Sequence, residues 1–498
     1  MSLSVRTGFV VSGGSFNSMF GVADIVSFSL DGQPYIAVGS EATGGVSVLS
    51  VGGGVAVEVS GISYSEGSGT STLSDLALVD AAGGPRLMAL GRYDDNYGLF
   101  DVSAGGALTM NAPLSDGAGT LERGLISATA NFLDYTMVYS AQFGRVGVYA
   151  HRLYADGSIE HMRTYEGGWA RLNDVTTLEF AVLHGQNFLF SGSAISTGVT
   201  AFDVFARGMP QITGRFLPRD GDGINGITDI EAVQHGDRAF VVVGSSQTHS
   251  LSVLRVSTAG EMNQVEYLLD TRFTRFGGVT EVEIIEADDR VFVVAGGADD
   301  GISILEMDYR GQLQHLTSIA DGFDTTLANV SALDIRVEGT EAHIYVGSAS
   351  DHGVTELVVD LDRTGSDIRG GAVPDTLIGT DADDILWGMG RSDVLQGGAG
   401  DDRLVDGRGR DTLTGGAGAD VFEFVADGRN DFITDFDFAR DRIDLSAFEH
   451  LYHISDLTIG PRLTGAAILV GDEVIRLLSA DGGPIDTSQF TQDHFIFG

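Results

Sequence analysis

The chain contains no cysteine and no lysine. The first absence excludes disulfides, thiolate metal sites and cysteine nucleophiles. The second means that all 29 basic residues are arginine. Proline and tryptophan are scarce, at eight and two of 498 residues. No stretch approaches the ~18 apolar residues of a membrane-spanning helix. The opening MSLSVRTGFVVSGGSF has no apolar run long enough for a cleaved export signal. The sequence also lacks H-E-x-x-H, a nucleophile elbow and a phosphate-binding loop. Those gaps remove the zinc-protease, serine-hydrolase and nucleotide-dependent readings that such motifs support.

Acidic residues are abundant instead: 70 Asp and Glu set a formal charge of −41. A surface of that sign repels nucleic acid and anionic membranes and suits cations or plain solvation. Glycine, at 70 of 498 residues, is about twice its usual share.

The first 365 residues repeat. YIAVGSEATGGVSVLSV, AFVVVGSSQTHSLSVLRV and VFVVAGGADDGISILEM are three of seven similar units. A small marker residue falls at Gly39, Gly91, Ser140, Gly192, Gly244, Gly296 and Gly347, so the spacing is 52, 49, 52, 52, 52 and 51. Each unit has room for four short strands rich in Val, Ile, Leu and Phe. Seven such units predict an all-β, seven-bladed propeller. A β-sandwich array is the alternative, but it does not account for the even count. The N-terminal LSVRTGFVV is left over and is expected to supply the outer strand of the last blade.

In five units an acidic residue opens the first strand: Asp24, Asp75, Asp174, Asp229 and Glu281. First strands line a propeller's channel, so these carboxylates can ring one mouth and hold a cation. The competing expectation is a local bond from each carboxylate to its own strand entry. Loop residues Asp94, Asp95, Asp299, Asp300, Asp351 and His352 belong to the same hairpin of their units and are expected to crowd onto one face. They are open to ligand binding or to ordinary turn chemistry.

From Gly370 the sequence runs in nines: GGAVPDTLI, GTDADDILW, GMGRSDVLQ, GGAGDDRLV, DGRGRDTLT and GGAGADVFE. Position six is always aspartate: Asp375, Asp384, Asp393, Asp402, Asp411 and Asp420. Position eight is always large and apolar, from Leu377 to Phe422. The pattern resembles the calcium-binding nonapeptide G-G-x-G-x-D-x-U-x of RTX proteins. That resemblance implies a parallel β-roll with two units per turn, in which Gly397, Gly398, Gly400, Gly407, Gly409, Gly415, Gly416 and Gly418 shape the turns and the aspartates bind Ca²⁺. Two aspartate columns with two gaps each give up to about four ions. Residues 370–446 hold 17 acidic against seven basic side chains, so the roll is expected to stay disordered without calcium.

DFITDFDFARDRIDLSAF, Asp431 to Phe448, resembles the segment after the roll in serralysin-type RTX proteins. The resemblance implies that Asp431, Asp435, Asp441 and Asp444 cap the roll and contribute to a further calcium site. The terminal DHFIFG resembles the uncleaved signal of type I secretion substrates. It implies an exporter as partner and an extracellular or cell-surface location. The expected domains are a propeller at 1–365, a roll at 366–425, and a cap with export signal at 426–498. The propeller reads as a non-catalytic module for glycans, a cell surface or further copies of the chain. The alternative is a calcium-dependent lactonase-like hydrolase or polysaccharide lyase at the channel mouth, with Arg92, Tyr93 and His352 as its candidate groups.

Overall fold

The computed structural model describes residues 3–12, 19–63, 72–81, 84–95, 97–111, 113–132, 134–166, 172–195, 197–205, 207–219, 221–287, 289–479 and 483–497. Two compact units emerge. One is Ser4–Glu286 with Val291–Asp360; the other holds Leu361–Gly498 with Ala287–Arg290 and Met1–Leu3.

The first unit is a seven-bladed propeller of four-stranded antiparallel sheets. Blade 1 is Val22–Leu30, Gln33–Ser40, Val46–Gly52 and Val55–Ile62. Blade 3 is Gly124–Phe132, Tyr135–Gln142, Val148–Tyr154 and Ile159–Tyr165. Middle strands are sandwiched between neighbouring blades and bury both faces. They therefore read as unbroken apolar runs: every residue of Gly301–Met307 is buried. Outer strands meet water on one face and alternate, as Val55–Ile62 does. First strands of neighbouring blades touch around the ring.

Blade 7 is completed as expected. Ser4–Ser12 pairs antiparallel with Gly353–Asp360, so the chain's first strand closes the ring beside the last blade. That pairing leaves no open seam for another chain's strand to add to.

Strand register corrects two of the repeat markers. Gly39 pairs with Asp24 just after a bulge, and the residues in that place in blades 2 and 3 are Leu90 and Ala141. The true spacing from Gly39 through Leu90, Ala141, Gly192, Gly244, Gly296 and Gly347 is 51, 51, 51, 52, 52 and 51. Gly91 and Ser140 drew the marker only because each is a small residue one place away.

The second unit contains a parallel β-solenoid. Thr364–Arg369, Asp383–Trp387, Arg403–Val405, Val421–Glu423, Arg442–Asp444 and Phe495–Ile496 form one sheet. Thr376–Ile378, Val394–Ala399, Thr412–Ala417, Asp431–Phe436 and Glu473–Ser479 run through the other, which an antiparallel pair, Gly465–Val470 and Thr458–Arg462, extends. Leu377 stacks on Leu395 and Leu395 on Leu413, a step of 18 residues or two nonapeptides. These side chains, with Leu386, Leu404 and Phe422, fill the interior. The terminal segment joins in: Phe495 pairs opposite Ile443 and packs near Phe490.

Candidate metal centre

Each turn of the solenoid ends on a position-six aspartate, and these form two columns. Asp384 N–H donates to Asp402 Oδ1 at 2.8 Å, Asp402 N–H to Asp420 Oδ1 at 2.9 Å, and Asp420 N–H to Asp441 Oδ1 at 3.0 Å. In the other column Asp375 N–H donates to Asp393 Oδ1 at 2.7 Å, Asp393 to Asp411 at 2.7 Å, and Asp411 to Asp431 at 2.9 Å. One carboxylate oxygen thus ties each turn to its neighbour. The other, Oδ2, is buried without a hydrogen-bond partner in Asp393, Asp402, Asp411 and Asp420. A buried charged oxygen with no donor is strongly unfavourable.

Glycine makes room for those oxygens. A Cβ on Gly397 would lie 2.2 Å from Asp402 Oδ2 and 2.6 Å from the Gly415 carbonyl. Gly415 stands in the same relation to Asp420 Oδ2, at 2.2 Å. Gly416 and Gly398 are in register on adjacent turns, and Gly416 has φ 106°, closed to most side chains. Gly400 and Gly418 belong to the same turns, while Gly407 and Gly409 shape a turn of the other column. The column of Gly379, Gly397 and Gly415 ends at Asp435, which accepts from Gly415 N–H at 3.0 Å and Gly416 N–H at 2.8 Å. Asp444 differs from the rest: it accepts locally from Ser446 N–H.

In five of the column aspartates burial raises the pKa, and neighbouring carboxylates raise it further. Asp402, Asp411 and Asp441 are pushed up to about 7, and Asp420 and Asp431 to about 6. Partnerless hard oxygens, carbonyls at the turns and space that a Cβ would fill together fit a divalent cation such as Ca²⁺. Sequence reasoning missed Asp406, which takes the place of a position-one glycine. It is fully buried and brings an oxygen within 4.8 Å of those of Asp411 and Asp431. Aspartate at a glycine position was the available signal.

In the propeller, Asp24, Asp75, Asp229 and Glu281 sit on first strands, and Asp174 does not join them. It lies in the preceding turn at φ 57°, and Thr177 holds the equivalent place in blade 4. A second tier two residues further along was missed: Glu179, Glu231, Glu283 and Asp334. The interactions chiefly join blades. Asp24 accepts from Ile25 N–H at 2.7 Å and from blade 2's Leu76 N–H at 2.6 Å. Asp229 accepts from Ile230 and Val282 N–H and from the Thr177 hydroxyl. Asp75 accepts from Ser127 Oγ, and Asp334 closes the ring on Ser27 N–H. Burial, then mutual repulsion, raises Glu179 to about 8, with Glu231, Glu281 and Glu283 also well raised.

The loop residues serve the connections between blades. Asp351 accepts from Ala328 N–H, Asp300 from Asn329 N–H, and His352 Nδ1 from Gly21 N–H. Asp299 is part-shielded and its pKa is raised by burial. Arg92 pairs with Glu41, and Tyr93 packs edge-on to Phe143, so neither shares a partner with His352.

The RTX calcium-binding nonapeptide repeat family model matches residues 369–390 and 387–422. No curated protein matches the sequence. Similar solved structures include a Lactobacillus plantarum protein (14% identity, 66% of this chain and 86% of that one, TM-score 0.46). Another is a functionally unknown protein from Desulfotomaculum acetoxidans (11%, 64% and 94%, TM-score 0.47). A third is the Dos1 propeller (13%, 68% and 77%, TM-score 0.45). The seven four-stranded sheets, with Ser4–Ser12 completing the last, establish the propeller directly. The chain is a seven-bladed β-propeller joined to a parallel β-solenoid of RTX calcium-binding nonapeptide repeats.

Proposed function

We propose that the chain is an exported protein whose solenoid folds on meeting extracellular Ca²⁺, with the propeller as a non-catalytic binding or adhesion module. The observation that carries this is the set of buried, partnerless Oδ2 atoms on Asp393, Asp402, Asp411 and Asp420. Those four aspartates, with Asp375, Asp384, Asp431 and Asp441 and the turn carbonyls, would hold the ions, bridged between neighbours in each column. Asp435 serves the last turn. Calcium supplies the positive charge that lets these carboxylates pack ionised. In calcium-poor cytosol the segment stays open, and the terminal residues that form strand Phe495–Ile496 are free for an exporter.

The non-catalytic reading of the propeller is supported by its hydrogen bonds. Asp24 and Asp229 spend both carboxylate oxygens on backbone N–H groups. Arg92 and Tyr93 meet at the Phe143 ring, and His352 shares no partner with either. A type I exporter co-expressed in calcium-poor cells tests the proposal. The full chain should appear in the medium, and loss of DHFIFG should retain it inside. Equal release of both chains would overturn it.

A further inference from the structure

One buried position is shared by all seven blades. On the third strand it is Leu49, Phe100, Phe202, Leu254, Leu305 or Leu357, each paired in the same register with the second strand. All six are at most 1% exposed. In blade 3 the residue is His151, also 0% exposed. An imidazole in a slot built for leucine or phenylalanine is destabilising unless its nitrogens are used.

Its neighbours are unusual in the same way. His161 lies directly across on the fourth strand, with ring centroids 5.1 Å apart. Asp116, from the connection between blades 2 and 3, places Oδ2 3.7 Å from His151 Nε2, and its side chain is only 2% exposed. The Thr120 hydroxyl bonds Asp116 and lies 2.8 Å from His151 Nε2. Thr164 Oγ1 is 3.2 Å from His161 Nε2. The Nδ1 atoms of both histidines are buried with no hydrogen-bond partner. Each of the three residues offers a ligand atom, all within 4.8 Å of one another.

We propose that Asp116, His151 and His161 form a binding site for a divalent transition-metal ion of the zinc class. Two imidazoles and one carboxylate are a set that zinc takes at ~2.0–2.2 Å, with a further position left open. Donors held around one ion at that distance sit ~3.4 Å apart, and these already lie within 4.8 Å of one another. Thr164 orients the His161 ring in the manner of an outer-shell partner. The nitrogen donors set this site apart from the all-oxygen turns of the solenoid, because Ca²⁺ prefers hard oxygen ligands. Bound metal would tie the connection between blades 2 and 3 to the outer half of blade 3.

The test uses the full chain in excess calcium, which occupies the oxygen sites, with Co²⁺ as the probe. One equivalent should bind with the visible ligand-field absorption of nitrogen-ligated, low-coordinate cobalt, and Zn²⁺ should displace it and raise the melting temperature. His151→Leu installs the residue found in four other blades, so it should fold and bind at least ~100-fold more weakly. His161→Gln, at a half-buried position, reads the same loss should the core variant fail to fold. Absence of the band under excess calcium, or a band unchanged in both variants, would overturn the site and leave a hydrogen-bonded cluster only.

Discussion

Acid should rescue the calcium-free solenoid. The perturbation is chelation followed by a titration from about pH 8 to about pH 5. Asp402, Asp411 and Asp441 are pushed up to about 7, and Asp420 and Asp431 to about 6, from an ordinary 3.8, with burial the leading cause in all five. One pKa unit corresponds to about 1.4 kcal/mol, so keeping each carboxyl ionised in the folded, cation-free roll costs ~3–4 kcal/mol. Five independent costs would total on the order of 15–20 kcal/mol. They are not independent, since the Asp420 carboxylate raises the pKa of Asp402 within one column. Half that sum still matches the ~5–15 kcal/mol that holds a whole domain. The sign follows from the raised values. The folded state binds protons more tightly than the unfolded one, so the penalty is complete above about pH 7 and fades toward about pH 4.

Trp387, 3% exposed on a solenoid strand, is the local reporter once Trp169 is replaced by Phe. In chelator its emission should be that of an exposed indole at neutral pH and shift blue as the pH falls through the window from about 7 to about 5. With calcium the emission should stay blue across the same window, because the ion at neutral pH and protons at low pH neutralise the same carboxyls. Identical emission with and without calcium at neutral pH, or loss of structure on acidification in chelator, would refute the reasoning.

Other substitutions separate the parts. Gly397→Ala drives a Cβ against Asp402 Oδ2 and should raise the calcium midpoint of solenoid folding, whereas Gly460→Ala, with open space around it, should not. Calcium titration monitored by circular dichroism reads both. Asp402→Asn keeps an acceptor for Asp384 N–H but loses the anionic Oδ2, and should lower the calcium count by one in equilibrium dialysis. Asp229→Ala orphans the N–H groups of Ile230 and Val282 and should destabilise the propeller by ~2–4 kcal/mol in urea, with calcium affinity unchanged.

Much of this was legible because the periods are physical. Two nonapeptides make one turn, so Leu377, Leu395 and Leu413 stack and their aspartates align. Blade spacing shows because middle strands are apolar on both faces, as in Arg238–Ser245. Other features arise only when distant segments meet. Asp24 bonds Leu76, 52 residues away, so no local pattern showed that the carboxylates join blades rather than only cap strands. The second channel tier was hinted at by Asp229-Ile230-Glu231 and Glu281-Val282-Glu283, which place two acids on one face of a strand. His151 looked like one of eleven scattered histidines until register showed that it fills a leucine's place.

The most direct measurement is amide hydrogen exchange on the full chain at neutral pH, with calcium and with excess chelator. Peptides from 370–444 should exchange slowly in calcium and at unfolded-chain rates in chelator, while the second and third strands of the propeller blades stay protected in both. Protection of 370–444 that survives complete chelation would contradict the account.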